Sequence, residues 1–250
     1  MNRAFFEQLS AAARDVIARE IAAGLVGENK ALAGFDPVTA ADRAAERELR
    51  ALIERAYPDH GISGEEFPTV RPDARLRWSL DPVDGTRALL CGLPSWAILV
   101  GLIEDGHHIA GMIDLPAIDE TLIAVDGTTW RNGAPVRTSG CTELAAARFS
   151  TTDPFLFSGD EARAVKRVRR SVRLTRFGLD AMAYARIATG GIDLAVENSL
   201  HPHDYDALIP VVRGAGGHIG DWSGGSAFDG GRVVAAATRE LYEAAVALLA

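Results

Sequence analysis

The sequence predicts an α+β first half, to about residue 144, followed by an α/β second half from about residue 145 to residue 250. Three observations point to this architecture. Apolar residues recur at helical spacing through 1–24 and 40–56. Short β-rich runs, separated by tight Gly and Asn turns, then fill much of 60–135. From about 145 onward, extended and helical runs alternate, and no flexible linker marks the change, so 1–250 reads as one unit.

Each element has a local reason. Residues 1–24 mix Arg3, Glu7, Arg14, Asp15, Arg19 and Glu20 with apolar positions, which marks an amphipathic surface helix rather than an export signal. In Asp36-Pro37-Val38-Thr39, Thr39 is the expected N-cap of a second helix over Ala40–Ala56, and a loop of Gly and small residues joins the two helices. A short strand at 60–63 leads into Gly64-Glu65-Glu66. The apolar run 76–80 predicts a strand, with Asp81-Pro82-Val83-Asp84-Gly85-Thr86 as a tight turn at its end and a helix beginning at Gly85-Thr86. Strands follow at 96–103, 108–115 and 121–125, and Asn132-Gly133 marks a further hairpin. In the second half, 148–152, 172–177, 192–196 and Val233–Ala236 read as strands. The intervening 159–169, 179–189, 206–215 and Arg239–Leu249 read as helices.

Composition narrows the function classes. A hydrophobic content of 48% supports an ordinary core, and no apolar run reaches the roughly 18 residues of a membrane span. The two cysteines, Cys91 and Cys141, form no metal-type pair, and a reduced, cytoplasmic setting is expected. A net charge of −8 argues against broad binding of nucleic acid or anionic membrane, although bound metal ions can invert the local sign for a phosphate ligand.

The chemistry concentrates in four acidic segments: Asp42 after Thr39, Glu65 in Gly64-Glu65-Glu66, the Asp81/Asp84 pair, and Asp204 in Pro202-His203-Asp204. Taken singly, an acid at an element boundary is an ordinary cap. Asp81 and Asp84 say more, because carboxylates crowded on one turn repel each other unless a cation sits between them. Hard oxygen donors of this kind suit Mg²⁺, and backbone N–H groups at Gly85 and Thr86 can hold a phosphate.

Gly64-Glu65-Glu66-Phe67, Asp81-Pro82-Val83-Asp84-Gly85-Thr86, and the run from His203 to Gly217 resemble, in order and spacing, the inositol monophosphatase superfamily. The resemblance covers about residues 36–221 and implies that family's layered αβαβα sandwich and a Mg²⁺-dependent, lithium-sensitive phosphatase. It implies metal ligation by Glu65, Asp81, the Val83 carbonyl, Asp84 and Asp204. Catalytic roles would fall to Glu65, Asp42 and Thr86, the last two orienting the attacking water, with Gly85 and Thr86 holding the phosphate. The family also implies a homodimer.

Glu197 stands where inositol phosphatases place an acid against substrate hydroxyls. Asp180, where those enzymes carry a small neutral residue, suits a substrate with an ammonium group, although a helix N-cap is the plain alternative. With Arg87, the segment Phe149-Ser150-Thr151-Thr152-Asp153-Pro154 and the stretch from Glu197 to Pro210, these residues look closest to the bacterial histidinol-phosphate phosphatases of the superfamily. Leu89 and Leu179 depart from that branch, where an aromatic residue and Cys are common. The small-molecule partner expected is L-histidinol phosphate, within histidine biosynthesis. Inositol monophosphate, a 3′-phosphonucleotide, and a catalytically silent metal- or phosphate-binding role are the alternatives.

Other features read as structural. The basic run from Lys166 to Arg173 reads as a solvated helix face, and His107-His108 as an exposed hairpin turn. Trp96 and Trp222 read as packing residues, and Gly214-Ala215-Gly216-Gly217 as a helix C-cap.

Overall fold

The computed structural model describes residues 2–29 and 37–250; Asp36 and part of the loop expected between the first two helices lie outside them. The chain opens with α1 (Arg3–Ala23), a two-residue ribbon of β1 (Glu28–Asn29) and β2 (Pro37–Val38), and α2 (Ala40–Ala56). Thr39 caps α2 as expected: its Oγ1 accepts from the Ala41 N–H at 3.1 Å, while Asp42 Oδ2 accepts from the Thr39 N–H at 2.9 Å.

A seven-stranded sheet follows, with its strands side by side in chain order. They are β3 (Gly61–Gly64), β4 (Leu76–Asp84), β5 (Ala97–Glu104), β6 (His107–Leu115), β7 (Glu120–Val125), β8 (Thr128–Arg131) and β9 (Ala134–Pro135). Only β3 and β4 run parallel; the other pairs are antiparallel. The short α3 (Thr86–Leu90) leaves the end of β4. The hairpin at Asn132-Gly133 has both residues at positive φ, 46° and 84°, the conformation for which this dipeptide is suited.

The second half supplies β10 (Arg148–Thr151), α4 (Gly159–Ser171), β11 (Leu174–Phe177), α5 (Ala181–Ala188) and β12 (Leu194–Glu197). It ends with α6 (Pro202–Tyr205), α7 (Leu208–Gly214), β13 (His218–Gly220), β14 (Val233–Ala236) and α8 (Arg239–Leu249). Its five strands lie in the order β11-β10-β12-β14-β13, with β14 antiparallel to both neighbours.

Alternation along the strands sorts the core into three layers. Trp78, Leu80, Val100 and Met112 pack against Phe6, Leu9, Leu49 and Ile53 of α1 and α2. Leu99, Ile113 and Leu122 face the opposite way, onto α5, α7 and the inner face of the second sheet at Ala195 and Ala235. Phe149, Val196 and Val234 meet Val165 and Leu241 of the outer helices α4 and α8. The order helices, sheet, helices, sheet, helices is the layered αβαβα sandwich. Trp96 and Trp222 are buried packing residues, as expected. Among the described residues no helix is long and apolar enough to cross a membrane.

One expectation needs correction. The segment 81–84 is not a turn after the strand: β4 runs on through Asp84, and the turn comes at Gly85, whose φ is +79°. A β-bulge carries the strand past Pro82, where a missing N–H is tolerated. The helix expected over 206–215 is present as α7, and a separate short turn, α6, precedes it, opened by Pro202 and by Asp204 accepting the His201 N–H.

Candidate active site

The bulge sets the geometry of the first two carboxylates. Asp81 lies opposite Leu99 and Asp84 opposite Ala97, so β4 advances three residues while β5 advances two. Cross-strand partners project to the same side. Leu99 and Ala97 belong to the middle core, and Asp81 and Asp84 face it with them. Strict alternation would have turned them to opposite faces.

Asp204 arrives from α6 in the middle layer, and carboxylate oxygens of Asp81, Asp84 and Asp204 lie within 4.8 Å of one another. Burial, then Glu65, Asp84 and Asp204, push the Asp81 carboxyl well above the usual carboxylate range. Burial, then Asp180 and Asp204, do the same to Asp84. Three crowded oxygen acceptors, two of them disfavoured as bare anions, fit a hard divalent cation such as Mg²⁺. Glu65 stands beside this triad at the end of β3, where its N–H donates to the Leu80 carbonyl at 3.2 Å.

The remaining expected residues converge on the same place. The Thr86 hydroxyl lies 3.2 Å from Asp42 Oδ1 and 3.0 Å from the Val83 carbonyl. Asp42 is therefore both the partner of the α2 cap and the acceptor facing Thr86. Gly85 packs under Asp180: a Cβ on Gly85 would sit 3.2 Å from Asp180 Oδ2. Asp180 stands at the start of α5 but makes no side-chain capping bond; the Ala181 N–H there donates instead to Asp84 Oδ2 at 2.7 Å. The plain cap reading of Asp180 therefore fails. Its backbone adopts φ +47°, ψ −140°, a conformation an L-residue holds only under constraint. Burial raises its carboxyl to about 6, against the opposing field of Arg87.

Glu197, at the end of β12, is buried and accepts from the Thr152 N–H at 2.7 Å, the Thr152 hydroxyl at 3.0 Å and the Thr151 hydroxyl at 3.2 Å. Burial outweighs these three donors and lifts its carboxyl to about 8. Asp84, Asp180, Glu197 and Asp204 share one enclosure of about 80 Å³ with Tyr184 and Asn198.

Three contributors escaped sequence reading. Glu46 is wholly buried on α2, where Arg50 Nε donates to it at 2.7 Å and it accepts the Glu66 N–H at 2.7 Å, so it holds the loop carrying Glu65. The signal was present: Asp42, Glu46, Leu49 and Ile53 fall on one helical stripe, and an acid on an apolar stripe needs a partner. Tyr184 gave no sequence signal beyond core spacing. His108 is not a bare turn residue; its Nε2 lies 2.7 Å from Asp206 Oδ1, tying β6 to the segment after Asp204.

Comparison with known proteins agrees with this architecture. The family model described as "Inositol monophosphatase family" matches residues 2–250. The chain is 40% identical over 193 residues to "Bifunctional phosphatase IMPL2, chloroplastic" of Arabidopsis thaliana, covering 76% of this chain but only 56% of that protein's length. It is 34% identical to "Histidinol-phosphatase" of Chlorobaculum parvum, covering 80% of this chain and 78% of the relative. The solved structure of an inositol monophosphatase from Zymomonas mobilis matches with a TM-score of 0.87 and 37% identity, over 98% of this chain and 96% of that one. With a family match along nearly its whole length and the same layered fold, this chain belongs to the inositol monophosphatase family of metal-dependent phosphomonoester hydrolases.

Proposed function

We propose that the protein hydrolyses L-histidinol phosphate to L-histidinol and phosphate in a Mg²⁺-dependent reaction of histidine biosynthesis, with residues 1–250 acting as one catalytic unit and assembling as a homodimer. The observation that carries the substrate reading is Asp180. Its carboxyl caps nothing, its backbone is strained, and it is held against Gly85 in an enclosure that Glu197 also lines. A leaving group with an amine and an imidazole gives the two acids there a cationic partner that favours their charged forms, which a polyol does not supply. The relatives described as histidinol-phosphatases support the same choice.

In this reading Glu65, Asp81, the Val83 carbonyl, Asp84 and Asp204 hold the metal. When bound, Mg²⁺ supplies polarisation of the phosphoryl group and neutralises its charge. Gly85 and Thr86 present backbone N–H groups to the phosphate oxygens, and Arg87 lies on the same turn beside Asp180. The Thr86 hydroxyl and Asp42 orient the attacking water, with Glu65 and Asp42 positioned to accept its proton. Asp180 and Glu197 hold the leaving alcohol.

Inositol monophosphate is the second reading, favoured by the Zymomonas neighbour. Phosphate release with Mg²⁺ across histidinol phosphate, inositol 1-phosphate and a 3′-phosphonucleotide tests the choice. A kcat/KM at least about tenfold higher for histidinol phosphate is expected, a difference of about 1.4 kcal/mol in transition-state binding. Preference for inositol phosphate by a similar factor would overturn it.

A further inference from the structure

Two residues that line the enclosure beside Asp180 carry a buried polar atom that no described residue satisfies: the Tyr184 hydroxyl and Asn198 Oδ1. Both residues are more than nine-tenths buried. Buried polar atoms are ordinarily paired, and the exceptions call for an explanation.

The orientation of the Asn198 amide is determined by its other end. Its Nδ2 lies 2.8 Å from Glu161 Oε2, and a carboxylate facing Arg232 at 2.8 Å is an acceptor only. The amide NH₂ must therefore point to Glu161, which leaves the carbonyl as the unpaired end of a residue that lines the enclosure. Thr152, also in the lining, spends its hydroxyl on Glu197 at 3.0 Å. The residues that line it thus carry the carboxyl groups of Asp84, Asp180, Glu197 and Asp204, the Asn198 carbonyl, and a single uncommitted hydroxyl on Tyr184. Such a lining is rich in acceptors and poor in donors. It complements a ligand whose nearest atoms donate, and a cationic amine does so while offsetting the surrounding charge.

We propose that Asn198 Oδ1 and the Tyr184 hydroxyl form the amine receptor of this site: the amide carbonyl accepts an N–H from an aminoalkyl phosphate ester, and the hydroxyl completes the coordination of the same ligand nitrogen. The inference rests on the amine-bearing substrate class proposed above and deepens it. Asp180 and Glu197 supply charge to that substrate, whereas Asn198 and Tyr184 read where its N–H groups point.

The test compares kcat/KM for histidinol phosphate with that for its deaminated analogue, an imidazolylpropyl phosphate, in the wild type and in Tyr184→Phe and Asn198→Leu. The wild type should prefer the amine. Each variant should reduce that preference roughly ten- to a hundredfold, through KM, as loss of one hydrogen bond to a charged group predicts. Tyr184→Phe removes an unpaired buried group, so its Tm should not fall, and this variant stays interpretable even where Asn198→Leu folds poorly. A wild-type preference that survives both substitutions would overturn the receptor while leaving the substrate reading intact. Absence of any wild-type preference for the amine would overturn both.

Discussion

Asp84 Oδ2 accepts the Ala181 N–H at 2.7 Å, so a carboxylate from the seven-stranded sheet caps a helix in the middle layer. The bond ties the first half of the chain to the second at the point where metal and substrate readings meet. Asp84→Asn keeps an acceptor for Ala181 and removes one charge from the crowded triad. Without Mg²⁺, its Tm should equal or exceed that of the wild type. With Mg²⁺, turnover should fall by roughly three orders of magnitude, and the wild-type rise in Tm, worth about 2.7 kcal/mol at a hundredfold excess over Kd, should largely vanish. Thermal scans with and without Mg²⁺ or EDTA, beside a phosphate-release assay, check both halves. Wild-type-like turnover in the variant would refute the metal assignment.

Gly64 is a second fixed point. A Cβ there would overlap Glu46 Oε1, which accepts from Arg50, and lie 2.8 Å from Oε2, which holds the Glu66 N–H. Gly64→Ala should therefore cost about 1–3 kcal/mol, the usual penalty for overpacking a rigid site. It should also raise the Mg²⁺ concentration needed for half-maximal activity, because Glu65 follows directly. Chemical denaturation and a Mg²⁺ titration of the rate are the measurements.

Asp180 stores backbone strain at φ +47°, ψ −140°. Replacing it with Gly should release about 1–3 kcal/mol of strain and so raise Tm. The same change should raise KM for histidinol phosphate several-fold relative to a small generic ester. A gain in stability with no change in the ratio of the two KM values would mean that Asp180 is only structural.

Glu197 makes stability depend on pH. Its carboxyl rises from 4.5 to about 8 on folding, so between those values the folded chain binds more protons than the unfolded one. Its contribution is complete below pH 4.5 and is lost as pH rises toward about 8. In Mg²⁺-free buffer, Glu197→Gln should flatten the decline in Tm between pH 5 and pH 8, a window taken from those two values. An unchanged slope in that variant would show that Glu197 titrates normally.

Much of this site was legible in residue types and their order. Asp42, Glu65, Asp81, Asp84, Thr86 and Asp204 were found from four short segments, and the structure brings all of them to one place. Thr39 and the α2 boundaries were readable because a cap is a local contact between Thr39 and Asp42. Glu46, Tyr184 and His108 were not, since their meaning depends on partners far along the chain, such as Asp206 for His108.

By itself, the sequence determined the chemical inventory: hard oxygen donors, a Gly-Thr turn able to hold phosphate, helical and strand periods, and the family they resemble. These follow from side-chain chemistry and from spacing over a few residues. Only the tertiary structure decided that Asp81 and Asp84 share a face, because that depends on a bulge in the pairing of β4 with β5. It also decided that Asp180 is free of capping duty, because Asp84 reaches the Ala181 N–H first. Burial and long-range pairing, which no short window contains, convert the inventory into a site.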